Sequence, residues 1–168
     1  MKVSLFWRII DHSRKKAGGS STWETTHRQA ELLVRHLQKQ DPKEIQSYER
    51  HFNWFMNTAY TRDMWLAVYL MYGYCDFVIF DRHLSWLIAQ GPRRYTRAVE
   101  NPDTMASYGD TKIDTDDMLY VGYRAYKLAT DTEIDGFVLR AHSGMCDAPH
   151  NLEDVAMQFP ELANRFWG

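Results

Sequence analysis

Residues 41–91 read DPKEIQSYERHFNWFMNTAYTRDMWLAVYLMYGYCDFVIFDRHLSWLIAQG, and the reading of this stretch decides the fold. Asp41 is a good N-cap, and Pro42 falls at the first helical position, where its missing N–H costs nothing. Glu44, three residues after Asp41, has the spacing of a capping box. Ile45, Tyr48, Phe52, Phe55, Met56 and Ala59 then recur at helical steps and form a broad apolar stripe. Glu49, Arg50, Asn53 and Asn57 fall largely off the stripe and are expected to face water. Thr61 to Asp63 interrupts the pattern, and Met64 to Tyr72 is apolar nearly all round, which predicts a helix in the centre of the packing. Gly73 ends that helix and Asp76 caps the next, whose Phe77, Phe80, Leu84, Leu87 and Ile88 keep helical spacing up to the Gly91-Pro92 stop.

Outward from this centre the same logic holds. Ser4 to Lys16 reads as a helix with Phe6, Ile9 and Ile10 inside, Trp7 at the edge and Arg14, Lys15 and Lys16 as a solvated basic end. Ser21 and Glu24 have capping-box spacing before a helix with Trp23, Ala30, Leu33, Val34 and Leu37 inside. Pro92 to Glu100 is helical, with Tyr95, Ala98 and Val99 inward and Arg93, Arg94 and Arg97 on the surface. A phosphate or acidic ligand is the lesser reading of those arginines. Asn101-Pro102 restarts a short helix, and 107–117 reads as a loop. Asp114 and Asp117 are placed to cap a helix to Thr130 with Met118, Val121, Ala125 and Leu128 inside. Phe137 to Leu139 is a candidate extended segment, and short helices restart at Asn151 and Pro160. The expectation is all-α: a compact single domain spanning 1–168, a bundle of about seven helices with an irregular C-terminal segment.

Composition bounds the function. The chain has 168 residues, 45% of them hydrophobic, so it can bury a core without disulfide staples. Its formal net charge of -2 gives no global attraction for nucleic acid or an anionic membrane. The two cysteines do not make a disulfide framework, the start lacks a signal peptide's apolar run, and Met64 to Tyr72 is too short to span a bilayer. A cytoplasmic protein is expected, with neither membrane nor nucleic acid as partner; a toxin or effector secreted by a signal-independent route would read the same.

Four constellations invite chemistry. Asp110, Asp114, Asp116 and Asp117 lack the ligand order, central glycine and distal glutamate of a calcium loop, so capping and solvation account for them. His142, Cys146 and His150 are evenly spaced, but no HExxH or paired CxxC accompanies them; no metal and no cofactor is expected. A thiol nucleophile at Cys75 or Cys146 would need His51, His83 or His142 brought beside it by the fold. The remaining group is a candidate ligand cleft where the helix beginning at Asp76 meets the hinge after Ala59. Its residues are Tyr60, Arg62, Asp63, Tyr72, Tyr74, Asp76, Asp81, Arg82 and Trp86, charges set among flat aromatic walls, although Trp86 is also expected, with Trp65, Tyr69 and Phe80, at the centre of the core. The same atoms would equally serve as caps and ion pairs that lock two helices together.

Taken in order, Phe6-Trp7 with Ile10, Pro42 to Ile45, Tyr48 with Phe52, Ala59-Tyr60, Asp63 to Trp65, Tyr69-Leu70, Gly73 with Cys75, Phe80, Trp86 to Gly91 and Pro102-Asp103 form a pattern. It resembles that of the bacterial proteins grouped as domain of unknown function 4240, over roughly residues 5 to 128. The family's closing Phe-Pro-x-Leu run is similar to Phe159-Pro160-Glu161-Leu162. Where the family places Gly-Gly-Cys and a Ser-Asp-Asp-like turn, this chain has Gly73-Tyr74-Cys75-Asp76-Phe77-Val78 and keeps one acid. The resemblance implies no settled activity. Two classes of function follow. One is a non-catalytic helical module binding a protein partner or small polar ligand. The other is a small enzyme using an acidic, arginine and tyrosine cleft around Asp76 and Arg82.

Overall fold

The computed structural model describes residues 1–19, 22–108, 115–135 and 147–167. The described residues are all-α and contain no strand. In chain order the α-helices are α1 (Val3–Ala17), α2 (Trp23–Leu37), α3 (Pro42–Ala59), α4 (Arg62–Tyr72), α5 (Phe77–Ala89), α6 (Pro92–Glu100), α7 (Val121–Thr130), α8 (Leu152–Gln158) and α9 (Pro160–Phe166). A 3-10 turn at Pro102–Ser107 follows α6, and another at Asp117–Tyr120 leads into α7.

The helices start and stop where the local chemistry dictates. Thr61 and Asp76 cap α4 and α5, their side chains accepting from Met64 N at 3.2 Å and Ile79 N at 2.8 Å. Gly73 closes α4 in the left-handed conformation. Two caps differ from expectation. The cap of α2 is Thr22, which exchanges hydrogen bonds with Thr25, whereas Ser21 lies outside the described residues. At α3 the Asp41 carboxylate accepts from Lys43 N, and Glu44 does not reach back; its carboxylate takes the Met1 ammonium at 3.1 Å instead. A full charge competes better for Glu44 than a backbone N–H does.

The body is α1, α2, α3, α5 and α7. Every predicted inner residue of α3 is buried, and Phe6 of α1 sits among Trp7, Tyr48 and Phe55 with ring centroids 5.1, 5.2 and 5.4 Å away. Offset and edge contacts of this kind add to the burial of the rings. Gln29, fully buried on α2, donates Nε2 to Ile10 O of α1 and Ala89 O of α5 and so struts three helices together. Trp65, Phe80 and Trp86 lie in the core, while Tyr69 is only half-buried. Glu49 reverses its expectation. It is buried because α7 packs on that side of α3, and a Cβ on Gly122 would collide with its carboxylate. Trp23 and Leu128 also turn outward, each lying at the end of its helix beyond the packed stretch.

The carboxyl-terminal segment forms a cover. An apolar helix such as α4 needs partners on both sides, and α8 and α9 supply the outer one. Asp103, in the 3-10 turn after α6, accepts from Glu161 N at 3.2 Å and Leu162 N at 2.9 Å. It thereby caps α9 from a distant part of the chain, because the helix's own N-cap, Phe159, has no side-chain acceptor. Residues 109–114, inside the predicted 107–117 loop, and Phe137 to Leu139 lie outside the described residues.

Candidate functional site at the elbow between α4 and α5

The chain turns through 102° between α4 and α5. Among the described residues no single helix is long and apolar enough to cross a membrane. Folding brings the start of α5 back onto the hinge between α3 and α4. Tyr60 meets the Phe80 ring edge-on at 4.8 Å, and Trp65 meets Phe80 at 4.9 Å and Phe77 at 5.8 Å. The two halves of the predicted cleft are therefore neighbours, joined through Phe77 and Phe80 rather than through Trp86. Trp86 is fully buried and offers no face to a ligand.

The polar members take separate tasks. Asp76 caps α5 through Oδ1. Arg62 Nη1 donates to Asp147 O at 2.6 Å, and Asp63 Oδ1 accepts from Gln158 Nε2 at 3.0 Å, so this pair faces the carboxyl-terminal segment. Asp81 and Arg82 are half-buried on α5, where Arg82 O accepts from the Ser85 hydroxyl. Tyr72 is half-buried, with its hydroxyl 3.4 Å from His83 Nδ1, while Tyr74 stands out in solvent. Around the exposed Asp76, three apolar side chains also stand out: Tyr74, Phe77 and Val78 are 59%, 37% and 56% exposed.

The fold strongly alters the titration of His83. It is fully buried between Tyr72, Trp86 and Met105, with Nε2 3.3 Å from the Met105 sulfur. Burial alone lowers its pKa from 6.5 to about 3, so the ring is neutral at physiological pH. The Tyr48 hydroxyl is likewise pushed well above the ordinary tyrosine range, by burial first and by the neighbouring Glu49 second.

The other constellations resolve differently. Asp117 does not cap a helix: its Oδ2 takes His27 Nδ1 at 2.8 Å and the Thr115 hydroxyl. Burial would raise its pKa, but the Thr115 and His27 hydrogen bonds, with the charges of His27 and Arg124, outweigh that and lower it. Asp110, Asp114, His142 and Cys146 lie outside the described residues, and among those described no group of three or more His, Cys, Asp or Glu is arranged to hold a metal. Cys75 is half-buried, its thiol donating to Asp76 O at 3.6 Å. His51 Nε2 lies 3.0 Å from Met1 O, and its ring packs against Phe6.

Near the cover lies a grouping that the sequence did not suggest. A cavity of about 400 Å³ opens between α6, the following 3-10 turn and α9, lined by polar side chains that include Arg97, Asn101, Asp103 and Glu161. The only local signal for it was Asp103 in the Asn-Pro-Asp turn, which names a cap but not the helix that it caps.

The family model described as "Protein of unknown function (DUF4240)" matches residues 1–128. The match spans α1 to most of α7, so the elbow and α6 lie inside it, while α8 and α9, with Phe159 to Leu162, lie beyond it. No curated protein and no solved structure matches the chain.

Proposed function

We propose, for a chain that belongs to the DUF4240 family, a non-catalytic role: it is a helical module that docks a protein partner on the elbow between α4 and α5. The observation that carries this reading is the exposed apolar group of Tyr74, Phe77 and Val78 around the exposed Asp76, whose carboxylate is already engaged as the cap of α5. Aromatic and aliphatic anchors within a polar rim are the usual anatomy of a protein interface. An enzyme working through Asp76 would have to release that carboxylate from the first turn of α5, at the cost of a helix cap. The family resemblance and the few cysteines support a bacterial cytoplasmic setting, where thiols stay reduced.

The test is a photo-crosslinking phenylalanine analogue in place of Tyr74, expressed in the source cell. A discrete adduct is expected, and Val78→Glu should abolish it without lowering the melting temperature. A folded protein that gives no adduct, or an adduct that survives Val78→Glu, would contradict the reading.

A further inference from the structure

At the end of α5 opposite the elbow, α1 and the start of α6 enclose a cavity of about 250 Å³. Arg14 and Lys15 wall it from α1, and Arg93 and Arg94 from α6. Asp11 is the one carboxylate among its lining residues. A second cavity of about 430 Å³ adjoins it along α1, sharing Asp11 and Lys15 and adding Arg8 and His12. This concentration of cations stands out in a chain with 22 acidic and 20 basic residues. Like charges repel, and the fold gathers four of them from two distant helices around one small space.

The surroundings hold these charges in place. Arg94 Nη1 donates to Oε1 of the buried Gln90 at 2.9 Å, and its guanidinium lies over the Tyr108 ring at 5.3 Å. Arg14 Nη2 is 3.7 Å from Asp11 Oδ1, and Arg14 Nε is buried with no hydrogen-bond partner among the described residues. Helix α6 and α1 can approach this closely because residue 91 is glycine. Its φ of 89° lies in the left-handed region, and a Cβ there would collide with Asp11 Oδ1. Gly91 also leaves the first turn of α6 without a side-chain cap, so the helix dipole adds positive potential on the same side.

We propose that this cavity binds a phosphate monoester group. Guanidinium forks and an ammonium arriving from two helices suit a dianion with several terminal oxygens, whereas a carboxylate engages a single fork. The volume is below the roughly 300–1,000 Å³ of common ligand pockets, which fits a small head group rather than a whole nucleotide. The assignment is independent of the elbow: neither site shares a residue with the other.

The experiment is isothermal titration of the full chain with inorganic phosphate, glycerol phosphate and acetate, repeated on the Lys15→Gln, Arg93→Gln double variant. Both residues are exposed, so the variant should keep the wild-type melting temperature. Saturable binding of the two phosphates but not acetate is expected, weakened about tenfold or more in the variant by the loss of charge-assisted bonds. A parallel flotation arm uses phosphatidylcholine vesicles with and without phosphatidic acid. Capture that depends on phosphatidic acid and is lost in the variant would place the monoester on a lipid head group, and binding only in solution would place it on a soluble molecule. No saturable phosphate or vesicle binding, equal affinity for acetate, or affinity unchanged in the double variant would overturn the assignment.

Discussion

The body and the cover are both helical, yet they are held by different forces. The body interlocks large apolar side chains, with Phe6, Tyr48, Phe52, Phe80 and Trp86 fully or almost fully buried. The cover contributes Val155, Phe159 and Leu162 to the core, but much of its attachment is polar. Asp103 caps α9, Arg62 and Asp63 hold Asp147 and Gln158, and Arg165 donates to Ala106 O. Buried apolar area resists opening across the whole interface, while a partly exposed hydrogen bond contributes only about 0.5–1.5 kcal/mol. Uniform secondary structure therefore does not mean uniform stability: the cover should open before the body does.

The largest expected effect breaks the body. Trp86→Ala removes a fully buried ring and should destabilise the protein by about 3–5 kcal/mol in urea unfolding. A loss well under 1 kcal/mol would mean that the ring is not part of the packed centre.

The next effect concerns the junction of α5 with the 3-10 turn that carries the cover's cap. His83 binds its proton at about pH 6.5 when unfolded but only at about pH 3 when folded. The unfolded state therefore holds the extra proton between these values. The contribution of neutral His83 is intact above pH 6.5 and is lost progressively as pH falls toward 3. Between pH 7 and pH 5 the loss should be about 2 kcal/mol. His83→Gln should flatten this part of the pH profile, and an unchanged slope in that variant would assign it to other groups.

Smaller effects sharpen the contrast. Asp103→Ala deprives two N–H groups of α9 of their acceptor and should cost about 1–2 kcal/mol, confined to the cover. Arg124→Ala, breaking the half-exposed pair with Glu31 between α7 and α2, should cost about 1 kcal/mol or less in thermal unfolding. A larger loss there would show that charge pairing, not packing, holds the body.

The body was largely legible in the sequence because its signals are local. The α3 stripe, the Gly73 stop and the Asp76 cap each depend on residues within a turn or two. Glu49 was misread because its burial is decided by α7, which no periodicity in α3 reports. The cover was less legible for the same reason: Asp103 meets its partners 58 and 59 residues away, and Asp63 meets Gln158 95 residues away. At the elbow the segments that the sequence groups, Tyr60 and the start of α5, are neighbours, and of the two places that the sequence allows Trp86, the core and the cleft wall, the fold realises the core. The basic cavity was only half legible: Arg93 and Arg94 carried a lesser phosphate reading, but Arg14 and Lys15 alone read as a solvated helix end, and only the approach of α1 to α6 encloses the four together.

Native-state hydrogen exchange on the wild type and Asp103→Ala tests the contrast between body and cover most directly. The account predicts that amides of α8 and α9 exchange through openings of lower free energy than those of α3 and α5. Asp103→Ala should lower protection in α9 and leave α3 and α5 unchanged. Equal protection across all four helices, or a uniform loss in the variant, would contradict it and make body and cover one cooperative unit.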